Sequence, residues 1–150
     1  MLKKNITYTD YDGNERSEDF YFNLSKAELT EMQLSQNGGL EKLLQKIIAE
    51  QDSSRIVTMF KDIIRKSYGE KSLDGKRFIK FRDGHSLFEE FEQTEAYSVL
   101  FMELATDAEA AAAFINGIIP KDLADQIAAE QKKEEQIAKL TGETNLTKEK

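Results

Sequence analysis

The chain contains no cysteine and no tryptophan, a single proline, and a single histidine, His85. Without cysteine it can form neither a disulfide nor a thiolate metal site, and it offers no thiol nucleophile. One histidine excludes multi-histidine metal centres. No window approaches the ~18 uninterrupted apolar residues of a membrane-spanning helix, so no membrane association is expected. The opening MLKKNITYTD lacks the apolar core of a signal peptide, and a cytosolic protein is expected. A net charge of −7 argues against non-specific nucleic-acid binding, which needs cations to displace counterions.

What remains is a chain of 150 residues, 39% hydrophobic and 33% charged, suited to one domain or one domain with an appendage. Its charge is uneven. Residues 1–64 balance to −3, residues 65–85 to +4, residues 86–119 to −7 and residues 120–150 to −1. A basic segment followed by one with no basic residue suggests electrostatic complementarity within the fold or between subunits, against the plainer reading of two solvated faces.

Alternation marks the start. Ile6 and Tyr8 alternate with Thr7 and Thr9, and Phe20, Phe22 and Leu24 alternate with Asp19, Tyr21 and Asn23. The two runs flank Tyr11-Asp12-Gly13-Asn14, which predicts a β-hairpin. Ser25 and Glu28 have the spacing of a capping box and open a helix to about Ser35, which Asn37-Gly38-Gly39 stops. Leu40, Leu43, Leu44, Ile47 and Ile48 form a helical stripe. A third helix, capped by Asp52 or Ser53, carries Ile56, Met59, Phe60, Ile63 and Ile64 on one face, with Tyr68 a turn later.

Beyond Asp83-Gly84 the chain turns helical again, with Leu87, Phe88 and Phe91 on a short apolar face. Tyr97, Val99, Leu100, Phe101, Met102 and Leu104 then point around nearly the whole circumference of one helix, as expected at a bundle centre or a contact with another chain. Thr106 with Glu109 is a second capping-box candidate, for a helix ending at Asn116-Gly117 before Pro120. Residues 120–150 are polar and sparse in apolar positions, including EQKKEEQ. The fold class expected is mainly α with a small N-terminal β-hairpin (α+β), a compact helical bundle plus an exposed C-terminal helix. Residues 1–119 would be one globular domain (hairpin 3–24, helices from 25 onward), and residues 120–150 a loosely packed, partly disordered tail.

Three stretches carry side chains that could do chemistry. SYGEKSLDGKRFIKF, Ser67 to Phe81, has glycines, hydroxyls and cations, but Gly69 and Gly75 are one residue too far apart for a phosphate loop, and Arg77 stands where a hydroxyl is needed. Gly69 is expected at a left-handed helix C-cap, Asp74-Gly75 at a turn, and Phe78 to Phe81 in an extended segment. His85 would need an orienting carboxylate and a nucleophile to act in catalysis, and reads as a surface or capping residue. Glu89, Glu90, Glu92 and Glu95 lack the loop pattern of a calcium site and read as a solvated face, so neither a metal nor a cofactor is expected.

Taken together, NITYTDYDGNERSEDFYFNLSKAEL, the motif YGxKSxDGxxFxK at Tyr68 to Lys80, and EAYSxLFMELATD at Glu95 to Asp107 resemble the tail assembly chaperones of long-tailed bacteriophages and related prophages. The likeness runs in order over roughly residues 3–127. It implies a non-enzymatic protein of the bacterial host cytoplasm that binds the tape-measure protein, keeps it soluble and helps bring tail-tube subunits to it, in part through a longer frameshifted form. A chaperone for a helical, apolar partner needs apolar surface. The face expected to supply it comprises Tyr97, Leu100, Phe101, Leu104, Phe114, Ile118 and Ile119, with the domain core as the alternative role for the same residues. Self-association as a homo-oligomer would bury that face between subunits until exchange. The rival function is a structural tail or head–tail completion protein retained in the virion. An enzyme with a pocket of convergent polar groups near His85 stands third.

Overall fold

The computed structural model describes residues 1–35 and 53–122, together with residues 125, 136 and 137. The stripe at residues 40–48, the Asn37-Gly38-Gly39 stop, Asp52 and most of the tail lie outside them. The contacts divide the chain into two compact units, Met1–Pro120 and Lys121–Lys150. In the second unit Lys121, Asp122, Asp125, Gln136 and Ile137 are helical.

The first unit has the mixed α+β composition expected, with more sheet than a hairpin alone. Strands β1 (Leu2–Thr9) and β2 (Glu15–Phe22) pair antiparallel with Leu2 opposite Phe22 and Thr9 opposite Glu15. Asp10 builds the connection. Its carboxylate accepts from the Asp12 and Asn14 amides (3.0 and 2.9 Å) and from the Arg16 guanidinium, while Gly13 supplies a φ of +83°. The register places Leu2, Ile6 and Tyr8 with Phe20 and Phe22 on the inner face. The outer face is polar: the Asn5 amide donates to Asp19 (3.0 Å), Ser17 donates to Asn5 (2.8 Å), and Thr7 lies beside Ser17.

Helix α1 (Lys26–Ser35) starts at the capping box read from the sequence. The Ser25 amide donates to Glu28 Oε1 (3.0 Å), and the Glu28 amide donates to Ser25 Oγ (3.2 Å). Helix α2 (Ser53–Ser67) buries Phe60, Ile63 and Ile64. It passes directly into β3 (Tyr68–Lys71), which pairs with the end of β2 through Tyr21–Gly69 and Phe22–Tyr68. β4 (Phe78–Ile79) completes a four-stranded sheet of order β1-β2-β3-β4.

Gly69 is therefore not a helix cap. It is an extended strand residue, and a Cβ there would lie 2.5 Å from both the Ile79 carbonyl oxygen and the Phe78 ring, so the close approach of β4 is what requires glycine.

Strands β5 (Phe81–Arg82) and β6 (His85–Ser86) make a second, minimal hairpin. Asp83 and Gly84, at φ +53° and +79°, form its two-residue turn, the double positive φ of a type I′ connection. Three helices follow: α3 (Leu87–Glu92), α4 (Glu95–Thr106) and α5 (Ala108–Ile118). Ser86, Thr94 and Asp107 cap them, accepting from the Phe88 amide, the Tyr97 amide, and the Glu109 and Ala110 amides respectively.

The cap of α5 is thus Asp107 and not Thr106, whose hydroxyl donates back to the Met102 carbonyl (2.6 Å) as the last residue of α4. Nor does α5 end at Asn116-Gly117. Gly117 lies inside it, where a Cβ would sit 2.9 Å from Leu2 Cδ1, so contact with Leu2 and not a cap accounts for glycine there. The helix stops one residue later, where Pro120 pushes Ile119 to an extended conformation (φ −90°, ψ 159°).

The core lies between the inner face of the sheet and the helices, and it is strongly aromatic. Phe91 stacks on Phe20 (centroids 5.0 Å, planes 9° apart), meets Tyr68 at 4.3 Å and Tyr97 edge-on at 5.8 Å, and approaches Phe22, which in turn meets Phe114 edge-on at 5.1 Å. Such pairings contribute about 0.5–1.5 kcal/mol each beyond their buried area. Two main-chain bonds fasten the end of β2 to both helical groups: the Asn23 amide donates to the Ser67 carbonyl (2.8 Å) and the Leu24 amide to the Ile118 carbonyl (2.7 Å).

Candidate partner-binding surface

The seven residues of the expected partner face divide by depth. Leu100, Leu104, Phe114, Ile118 and Ile119 are buried, and the chain's own elements cover them. Leu100 and Leu104 lie with Ala96 on one row of α4, and Phe114 and Ile118 lie with Ala111 and Ile115 on the inward face of α5. Tyr97 and Phe101 are half-buried and touch each other at 5.8 Å, with Tyr97 edge-on to Phe88 at 5.6 Å. Burial pushes the Tyr97 hydroxyl above its ordinary range. Of the seven, only Tyr97 and Phe101 present accessible ring surface.

The same helix carries apolar surface that the seven omit. Val99 is 41% exposed and Met102 57% exposed, among Ser98, Glu103 and Thr106. Helical spacing does set Val99 and Met102 among the polar residues, away from the Ala96, Leu100, Leu104 row, a signal that the nearly continuous apolar circumference obscures. Helix α4 runs alongside β1. Glu103 at its far end pairs with Lys4 Nζ (3.0 Å), and Glu95 at its near end accepts from the Tyr11 hydroxyl, raising the pKa of that phenol.

A groove of about 600 Å³ is lined by apolar Leu24, Met32 and Phe81 together with Glu28, Arg65 and Lys80. Phe81 is 72% exposed. Lys80 Nζ donates to the Lys66 carbonyl (2.7 Å) and forms an ion pair with Glu28. Burial opposes ionisation of Glu28, but Lys80 and the Ser25 amide outweigh it and hold the carboxyl below its usual range. Glu28 thus joins the cap of α1 to β4 and β5 through one side chain.

The glycine- and cation-bearing stretch forms the β3–β4 hairpin. Its turn donors are already satisfied by the chain: Asp74 Oδ1 accepts from Ser72 Oγ (2.6 Å) and the Lys76 amide (3.0 Å), and Ser72 Oγ accepts from the Arg77 amide (3.0 Å). A carboxylate sits where a phosphate would have to bind.

His85 lies on an exposed depression of about 280 Å³ with Arg82, Glu89 and Glu90, its Nδ1 3.6 Å from Glu89 Oε2, and no serine or threonine lines it. The four glutamates do not converge on one point: Glu92 pairs with Lys61 (2.9 Å), Glu95 reaches Tyr11, and only Glu89 and Glu90 share the depression beside His85.

The basic segment 65–85 draws its ion partners mainly from elsewhere than the acidic one. Lys66 pairs with Asp62 (3.0 Å), Lys80 with Glu28 and Arg82 with Glu70 (2.8 Å), while Glu92 and Glu103 pair with Lys61 and Lys4. Among the described residues no helix is long and apolar enough to cross a membrane.

Comparison with known proteins gives one result at the family level. A family model described as phage tail assembly chaperone matches residues 1–150. No curated protein and no solved structure matches.

Proposed function

Because this chain belongs to the phage tail assembly chaperone family, we propose that it binds the tape-measure protein, keeps that long chain soluble, and helps recruit tail-tube subunits during tail assembly. It acts without catalysis, in the cytoplasm of the infected bacterium. The observation that carries this reading is a family match that extends over the whole chain and not over one motif.

The surface supports it in kind. Half-buried Tyr97 and Phe101 provide apolar contact area on one flank of α4, the kind of surface that receives an amphipathic helix, and exposed Val99 and Met102 add adjustable apolar area among the polar residues of its other side. Leu100, Leu104, Phe114, Ile118 and Ile119 lie behind that surface and hold its shape. A longer form extended beyond the polar tail would bring the tube subunit to the same complex.

The test is co-expression with the tape-measure protein encoded by the same phage. Soluble tape-measure protein should rise, and the two should co-elute on size exclusion. No gain in solubility and no complex would refute the reading. Detection of the chain in purified virions by mass spectrometry would favour a structural tail protein instead.

A further inference from the structure

Strand β1 is the longest unpaired edge among the described residues. The sheet order β1-β2-β3-β4 leaves its outer side without a strand partner over eight residues, Leu2–Thr9, with no proline in the run. The direction of its main-chain groups follows from the hairpin. The Asp10 amide donates to the Asn14 carbonyl (2.8 Å), and antiparallel pairing alternates from there. Tyr8, Ile6 and Lys4 therefore bond to β2, while Lys3, Asn5, Thr7 and Thr9 turn their amides and carbonyls outward. The Leu24 and Asn23 amides, which leave the two sides of β2 toward Ile118 and Ser67, fit the same alternation. Lys3, Asn5, Thr7 and Thr9 are all exposed.

We propose that this edge is a self-pairing surface: two copies of the chain join by antiparallel pairing of their β1 strands about a two-fold axis at Ile6, forming one continuous sheet. The inference stands on the edge geometry and does not rest on the chaperone reading.

Three features select a second copy as the occupant. First, the two-fold at Ile6 brings outward-facing residues into hydrogen-bonded register, Asn5 opposite Thr7 and Lys3 opposite Thr9 of the second copy, with no like charges opposed. Second, the strand is electrically polar along its length. Lys3 and Lys4, paired within the chain with Asp19 and Glu103, stand at its start. Asp10, held by Arg16, and Asp12 follow its end, so antiparallel pairing sets each cationic end beside the other copy's acidic turn and opposes no like charges. Third, Val99 lies on the α4 row between Glu95 and Glu103, which contact Tyr11 and Lys4 at the two ends of this strand. An apolar side chain 41% exposed thus borders the middle of the edge. Edges that are not meant to pair are usually short, bulged, blocked by proline or studded with charge; this one is long and continuous, and its two lysines stand together at one end, leaving Asn5, Thr7 and Thr9 uncharged.

The test is the mass of the full chain by sedimentation equilibrium at concentrations up to about 100 μM. The native chain should be a dimer. Thr7→Pro removes one outward amide and leaves the bonds to β2 intact, so it should give a monomer with an unchanged far-UV circular dichroism spectrum. Should that variant fold poorly, charge pairs decide. Asn5→Lys with Thr7→Lys should weaken the dimer by about tenfold or more, and Asn5→Lys with Thr7→Asp should restore it. A native chain that stays monomeric overturns the proposal, as does a dimer indifferent to both the proline and the charge pairs.

Discussion

Gly69 and Gly117 each stand where a methyl group would collide, but against different neighbours. At Gly69 the obstacle is the Ile79 backbone oxygen at 2.5 Å, held by the β3–β4 ladder; at Gly117 it is the end of the Leu2 side chain at 2.9 Å, which can rotate. Gly69→Ala should therefore cost about 2 kcal/mol or more of unfolding free energy. Gly117→Ala, which also gains about 1 kcal/mol of helix propensity, should be close to neutral. Urea unfolding of the two variants measures the contrast. Tyr68 makes a second prediction. Burial, reinforced by Glu70, pushes its hydroxyl up to about 12 from an ordinary 10.0. The fold thus favours the neutral phenol. Its contribution to stability is complete below pH 10 and is lost as pH rises through about 12. Tyr68→Phe should flatten the alkaline loss of stability over that window, and an unchanged slope would exclude the assignment.

At the scale of elements, caps and turns decide where each segment begins. Asp107 Oδ1 accepts from two amides at the start of α5, at 3.0 and 3.2 Å, whereas Thr106 faces back along α4. Asp107→Ala should cost about 1 kcal/mol, and Thr106→Ala clearly less, by thermal or urea unfolding. Both residues are good caps by type. Only the path of the chain, extended at Asp107 (φ −126°, ψ 104°), makes one of them the cap. The ion pair from Lys80 to Glu28 joins α1 to the β4–β5 segment. Because it helps hold the Glu28 carboxyl low, its stabilisation is present above the ordinary carboxylate pKa of 4.5 and is lost as pH falls below it. Lys80→Met should reduce that acid dependence, leaving the part due to the Ser25 amide, along with part of the stability at neutral pH. Acid titrations followed by circular dichroism would show it.

At the scale of the molecule, the two depths found on α4 predict a separation of effects. Leu100→Ala empties a fully buried position and should cost about 2–5 kcal/mol, lowering the melting temperature and every activity with it. Phe101→Ala removes a half-buried ring at the margin. It should lower the melting temperature less and reduce tape-measure solubilisation more, in the co-expression assay run beside a melting curve. Equal losses in both assays for both variants would mean that α4 serves only as core.

By itself the sequence determined the local structure: the hairpin, the capping box at Ser25 and Glu28, the inward faces of α2 and α3, and the exclusion of thiol and multi-histidine chemistry. These depend on interactions within a few residues, or on residue types being absent, and both can be read along a line. It also carried the family, through motifs that run in order over most of the chain. The tertiary structure decided which glycines are turns and which are points of close approach, since Gly69 needs β4 beside it and Gly117 needs Leu2. It decided, too, that five of the seven residues on the expected face are covered, because the apolar circumference of α4 is divided by what packs on each side. Sequence spacing sets the direction of a side chain around its helix, and only the neighbours brought up by folding determine whether water reaches it.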